Sequence, residues 1–157
     1  MTVRLNSPPV HESTPSLIFW LGYGGLAPFI GCALATHADP ARASRWFEAL
    51  VAYGAVILSF VGALHWGFAM TLAPIAGRTR RRLFVWSVIP SLVAWVALMM
   101  YSKHAVFLLI AGFLVHFWQD RRLKGLIPLP TWYMPLRLRL SVIAILCLAA
   151  GATSPGA

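Results

Sequence analysis

The sequence predicts an all-α, polytopic membrane bundle of about five transmembrane helices, forming a single integral-membrane domain over residues 1–157. Three observations carry that expectation. The chain is 59% hydrophobic and only 11% charged, with a mean hydropathy of +0.74. A soluble domain averages about 25% charged residues and could not cover its surface with so few. The apolar residues gather in runs that approach the roughly 20 residues needed to cross a bilayer. These runs exceed the ~10-residue alternating segments of outer-membrane barrel strands. Finally, ten of the 13 Lys and Arg residues fall on one side of the resulting topology.

The first run covers roughly 16–36. Gly22, Gly24, Gly25 and Pro28 interrupt it. A cleaved signal peptide is the competing reading, since Ala33-Leu34-Ala35 has the small-x-small form of a cleavage site. Cys32 after Phe29-Ile30-Gly31 also faintly resembles a lipoprotein box. Arg4 is the only basic residue before the run, so a retained span is expected. The second run covers roughly 46–75 and the third roughly 83–101. The fourth, roughly 105–118, is short, and the fifth, roughly 138–153, needs Arg139 and its neighbour Arg137 to snorkel to the interface. Between the last two lies a polar stretch with Pro128, Pro130 and Pro135 around Trp132 and Tyr133. It reads as an interfacial segment before the last helix, because Pro blocks a continuous helix.

One side of this topology carries Arg4, Arg78, Arg80, Arg81, Arg82, Arg121, Arg122, Lys124, Arg137 and Arg139; the other carries Arg42, Arg45 and Lys103. Basic residues in short loops stay cytoplasmic. The expected topology is therefore N-in, C-out. Aromatics agree: Trp46 and Tyr101 fall at outer ends, and Trp86, Trp118, Trp132 and Tyr133 near inner ends. The basic rim of Arg78, Arg80, Arg81, Arg82, Arg121, Arg122 and Lys124 sets topology and attracts anionic lipid head groups, by about 1 kcal/mol per residue near the surface. The net charge of +9 thus needs no nucleic-acid partner.

Two groups of residues stand out inside the runs. Ala55, Ser59, Ala63 and Gly67, continued by Thr71, recur every four residues along the second run. Small side chains let helices approach closely in lipid, so this is the expected helix-packing stripe. His65 and Trp66 lie beside it. His65 is expected roughly 13 Å deep, at 1.5 Å per residue. An ionisable residue at such depth is a functional or structural polar core. Ser91 on the third run, or the Trp86 carbonyl freed by Pro90, is its expected partner. His116 and Asp120 lie one helical turn apart, and Asp120 is expected to pair with Arg121, Arg122 or Lys124. The histidines and Asp120 also suggest a proton relay, or a haem held by His65 and His116. A depth difference of about 7 Å between the histidines counts against haem.

Elsewhere the chemistry is sparse. Cys32 and Cys147 read as small packing residues. Glu48 reads as a solvated partner of Arg45. His37, Asp39 and His104 lack metal-ligand spacing. Four acidic residues in the whole chain leave few actors for acid–base catalysis. Neither a catalytic site nor a cofactor is expected.

Several stretches carry a resemblance. They are Leu21-Gly22 through Pro28-Phe29, then Leu58-Ser59-Phe60-Val61-Gly62-Ala63-Leu64-His65-Trp66-Gly67, then Val88-Ile89-Pro90-Ser91-Leu92 with Trp95, and Leu129-Pro130-Thr131-Trp132-Tyr133 with Leu136-Arg137. With them the chain resembles a multi-pass membrane family of unknown function (domain of unknown function 3429) that includes transmembrane protein 69. The resemblance implies a bacterial inner-membrane protein, or a mitochondrial inner-membrane one in eukaryotic relatives, and implies no activity. It draws attention to Gly62, His65, Trp66, Pro90 and Trp132. The sequence thus points to a non-enzymatic accessory or assembly partner acting by helix packing, with a membrane protein or a second copy as its partner. The alternative is a small oligomeric transporter or channel with His65 on its pathway.

Overall fold

The computed structural model describes residues 15–72, 75–100, 103–126 and 129–154. Arg4, Tyr101 and Pro128 lie outside them. The described residues form six α-helices: α1 (Pro15–Gly24), α2 (Ala27–Ala38), α3 (Ala43–Thr71), α4 (Gly77–Met99), α5 (Lys103–Lys124) and α6 (Tyr133–Ala152). A single 3-10 turn, Pro40–Arg42, joins α2 to α3. Among the described residues, four segments are long and apolar enough to cross a membrane: Ser16–Ala38, Pro40–Thr71, Gly77–Met99 and Tyr133–Ala152. The 22 residues of α5 also have the length, about 33 Å. Its second half carries His116, Gln119, Asp120, Arg121 and Arg122, so its apolar run is short. It packs against α3, α4 and α6.

The first span is a broken helix. Pro28 in the first turn of α2 has no N–H for the carbonyl four residues earlier. The chain re-closes through Gly25 N–H donating to the Leu21 carbonyl and Leu26 N–H to that of Tyr23. The Tyr53 hydroxyl donates to the Gly25 carbonyl at 2.8 Å, which satisfies a group the break exposes.

The buried face of α3 runs through Leu50, Gly54, Leu58, Val61, Gly62, His65 and Ala69. The expected four-residue stripe does not follow it. Ala55 is buried and Ser59 half-buried, but Ala63 and Gly67 are exposed. A helix turns 100° per residue, so the 12 residues from Ala55 to Gly67 drift about 120° around the axis. The close approach to α4 comes instead at Gly62. A Cβ there would lie 2.8 Å from Pro90 Cβ and Cγ and 3.2 Å from the Ser87 carbonyl oxygen. Pro90 disrupts its own helix ladder but seats a flat ring against that glycine.

The main core joins Phe29, Leu50, Leu58, Val106, Leu109 and Leu148, with Cys32 and Cys147 packed against it as free thiols. The last two spans are longer than the apolar runs suggest. Lys124, not Trp118, ends α5, and α6 starts at Tyr133. Pro135 sits in the first turn of α6, where a missing N–H costs nothing. The Pro-containing linker is therefore short, and Gln119, Asp120 and Arg137 belong to helices.

Candidate functional site

Longer helices bring four polar side chains to one level. His65 lies six residues before the end of α3 and Asp120 four before the end of α5. Arg137 lies four residues after the start of α6, and Trp86 nine after the start of α4. These helix ends share one end of the bundle with Arg78, Arg80, Arg81, Arg82, Arg121, Arg122 and Lys124, so the cluster sits just beneath the basic rim, with Asp120 and Arg137 about one turn in from the ends of their helices.

Asp120 is the hub. Its Oδ2 accepts from Arg137 Nε at 2.9 Å. Its Oδ1 faces His65 Nε2 at 3.5 Å and His116 Nε2 at 3.8 Å. His65, His116, Asp120 and Arg137 are all buried. The two imidazoles meet edge to face, with centroids 5.0 Å apart. Trp86 donates from Nε1 to His116 Nδ1 at 3.2 Å and stacks on the same ring. The Val61 carbonyl also faces His116. Tyr133, one turn before Arg137, places its hydroxyl beside the guanidinium and its ring against Phe68.

The Trp86 contact fixes a tautomer. An indole N–H can only donate, so His116 Nδ1 must offer its lone pair. A neutral His116 then carries its proton on Nε2, toward Asp120. One carboxylate is thereby surrounded by a guanidinium and two imidazoles. Its charge is balanced by Arg137, which lets the pair exist away from water. His65 Nε2, His116 Nε2 and Asp120 Oδ1 stop just short of hydrogen bonds. A shift under about 1 Å would close either contact.

Candidate ligand atoms of His65, His116 and Asp120 lie within 4.8 Å of one another, close enough to hold a metal ion. Two features oppose that chemistry. A divalent cation would meet the Arg137 charge beside the same carboxylate, and the Trp86 donor puts a proton on the nitrogen that would ligate. Among the described residues no other His, Cys, Asp and Glu group has this geometry, so His37, Asp39 and His104 do not gather into one.

Several expected partnerships differ. His65 turns to Asp120 on α5 rather than to Ser91 or the Trp86 carbonyl on α4; Ser91 is half-buried. Asp120 pairs with Arg137 across helices, not with Arg121, Arg122 or Lys124, which are exposed. Arg122 instead lies over the Trp118 ring at 3.4 Å. Arg137 does not snorkel outward, whereas Arg139 does remain exposed, 3.4 Å from the Tyr23 hydroxyl. The supposed depth mismatch of the histidines vanishes because α5 continues past Trp118. Trp66 is exposed and packs edge to face on Phe84. Sequence reading missed Arg137, Trp86 and Tyr133 as cluster members.

Apolar spans around an internal ion pair, capped by a basic rim, define a polytopic α-helical membrane protein with an intramembrane polar core. Residues 14–153 match the family described as a protein of unknown function (DUF3429), and the chain belongs to that family. It is similar to transmembrane protein 69 of Xenopus tropicalis, 34% identical over 140 residues that cover 87% of this chain and 54% of that protein. The chain thus spans about half the length of the curated relative it matches. No solved structure matches it.

Proposed function

We propose that the chain is a non-enzymatic accessory or assembly partner of another membrane protein, and that it docks through the outer face of α3. One observation supports this reading. Ala63 and Gly67 are exposed between Phe60, Trp66 and Met70, and a Cβ at Gly67 would touch nothing within 4 Å. Small residues flanked by large ones on a lipid-facing surface form a shallow groove into which a second helix can pack. The polar cluster then holds the bundle rigid behind that face. In this reading the membrane is a bacterial inner membrane, or the mitochondrial inner membrane in eukaryotic relatives. Its basic rim lies on the inner side and meets anionic head groups.

A photo-crosslinking residue at position 67, compared with one at the exposed Leu146 on α6, tests the reading in native membranes. A discrete product with a different protein, formed from position 67 alone, is expected. Products of the chain with itself would favour a homo-oligomer, and no position-specific product would remove the reading.

A second reading, a small oligomeric transporter or channel with His65 on its pathway, draws support from the polar layer shared by α3, α4, α5 and α6. Proton or solute flux in liposomes that persists in His65→Ala would eliminate it.

A further inference from the structure

Beside Arg137, the bundle contains a second feature that the docking reading does not use. A cavity of about 170 Å³ opens between the α1–α2 break and helices α3, α5 and α6. Its wall includes Gly25, Phe29, Ile57, Phe113, Arg137 and Ser141. The lining is otherwise apolar, and Leu21 and Phe60 form an exposed rim toward the lipid.

Two residues of this wall each carry a polar atom without a hydrogen bond. Arg137 Nη2 and Ser141 Oγ are buried and make no hydrogen bond, and neither does the Tyr133 hydroxyl beside the same guanidinium; Arg137 and Ser141 are 7% and 5% exposed. Ser141 differs from three other helical hydroxyls here. Ser59, Thr71 and Ser87 each turn back to a carbonyl of their own helix, three or four residues earlier. That is the ordinary resting place of a hydroxyl in an apolar helix. Ser141 leaves it unused. Unpaired donors in the membrane interior carry a free-energy cost unless something binds them. The backbone break beside the cavity fits the same pattern, because irregular backbone at membrane depth is tolerated where it lines a cavity.

We propose that this cavity binds the carbonyl end of an uncharged, lipid-soluble molecule, whose oxygen accepts from Arg137 and Ser141 once the two side chains turn toward it. The rest of the molecule runs past the α1–α2 break into the bilayer. Charge selects the head group. Arg137 is already balanced by Asp120 at 2.9 Å, so a carboxylate head would bury an extra negative charge, whereas a neutral carbonyl adds none. Size selects the portion that enters. An apolar cavity of about 150 Å³ takes one benzene, so a single ring or a carbonyl with a few carbons fits, and a whole acyl chain does not. A quinone ring and the ester of a neutral lipid share this chemistry.

Native mass spectrometry of the full chain in detergent separates the outcomes, with three probes: a decyl-substituted benzoquinone, monoolein and laurate. One neutral probe should bind saturably at one copy per chain, and the one that binds identifies the source. Ser141→Ala should weaken it about 5- to 10-fold, the worth of one hydrogen bond. Ala144→Leu should abolish it by filling the cavity. Ile57→Phe fills the cavity from another wall and covers the case in which Ala144→Leu unfolds; thermal scans report the fold of each variant. Absence of saturable binding by either neutral probe, adducts indifferent to these substitutions, or laurate binding tighter than both neutral probes would overturn the proposal.

Discussion

The two halves of the bundle are held by different physics. Around Leu50, Leu58, Leu109 and Leu148 the contacts are apolar and depend on shape. Beneath the basic rim, Asp120 links His65, His116 and Arg137; two of these three links cross between helices and the third lies within α5. Lipid tails are as apolar as leucine, so the hydrophobic effect gives the first half little preference for helix contacts over lipid contacts. It needs close fit. The second half gains from charge and hydrogen bonding that lipid cannot supply. One half should therefore tolerate modest changes in chemistry that keep shape, and the other the reverse.

Breaking the polar half gives the largest expected effect. Arg137→Met leaves Asp120 buried without its cation and should cost about 3–5 kcal/mol, read as a large fall in thermal stability in detergent. Overpacking the apolar half comes next. Gly62→Ala forces a methyl into the Pro90 ring and should cost about 1–3 kcal/mol. Chemical denaturation in mixed micelles measures it, and a neutral result would show that α3 and α4 can part freely. Trp86→Phe keeps the stacked ring on His116 but removes the indole donor. Its cost should be about 1 kcal/mol, less than for Gly62→Ala by the same assay. Ala63→Leu on the exposed groove should change the stability of the isolated chain by under about 0.5 kcal/mol. The same substitution should diminish crosslinking from position 67.

Much of this architecture was legible in the sequence. Apolar runs located the spans, and the glycines with Pro28 marked the place where the first helix breaks. His65 was legible as an intramembrane ionisable residue because such residues are costly in lipid, and His116 and Asp120 as a pair one helical turn apart. Their partners were not, because hydropathy stops a helix where charges start. Asp120 to Lys124 and Tyr133 to Arg139 looked interfacial for that reason. The periodicity of α6 held a signal for Arg137: Tyr133, Arg137, Ser141, Ala144, Leu148 and Gly151 share its buried face, at spacings of three and four residues. Arg139 falls off that face and is exposed. The small-residue stripe misled for a related reason. A repeat of four drifts around a helix of 3.6 residues per turn, so its two ends serve different surfaces.

The most direct test of the polar half is a double-mutant cycle on Asp120→Leu and Arg137→Met, read as unfolding free energy in a fixed detergent. If the pair is internal and mutually dependent, each single variant is strongly destabilised and the double variant recovers most of the loss, with a coupling of about 3 kcal/mol or more. Additive losses would contradict it, because they would mean that each side chain is solvated independently and that no buried ion pair joins α5 to α6.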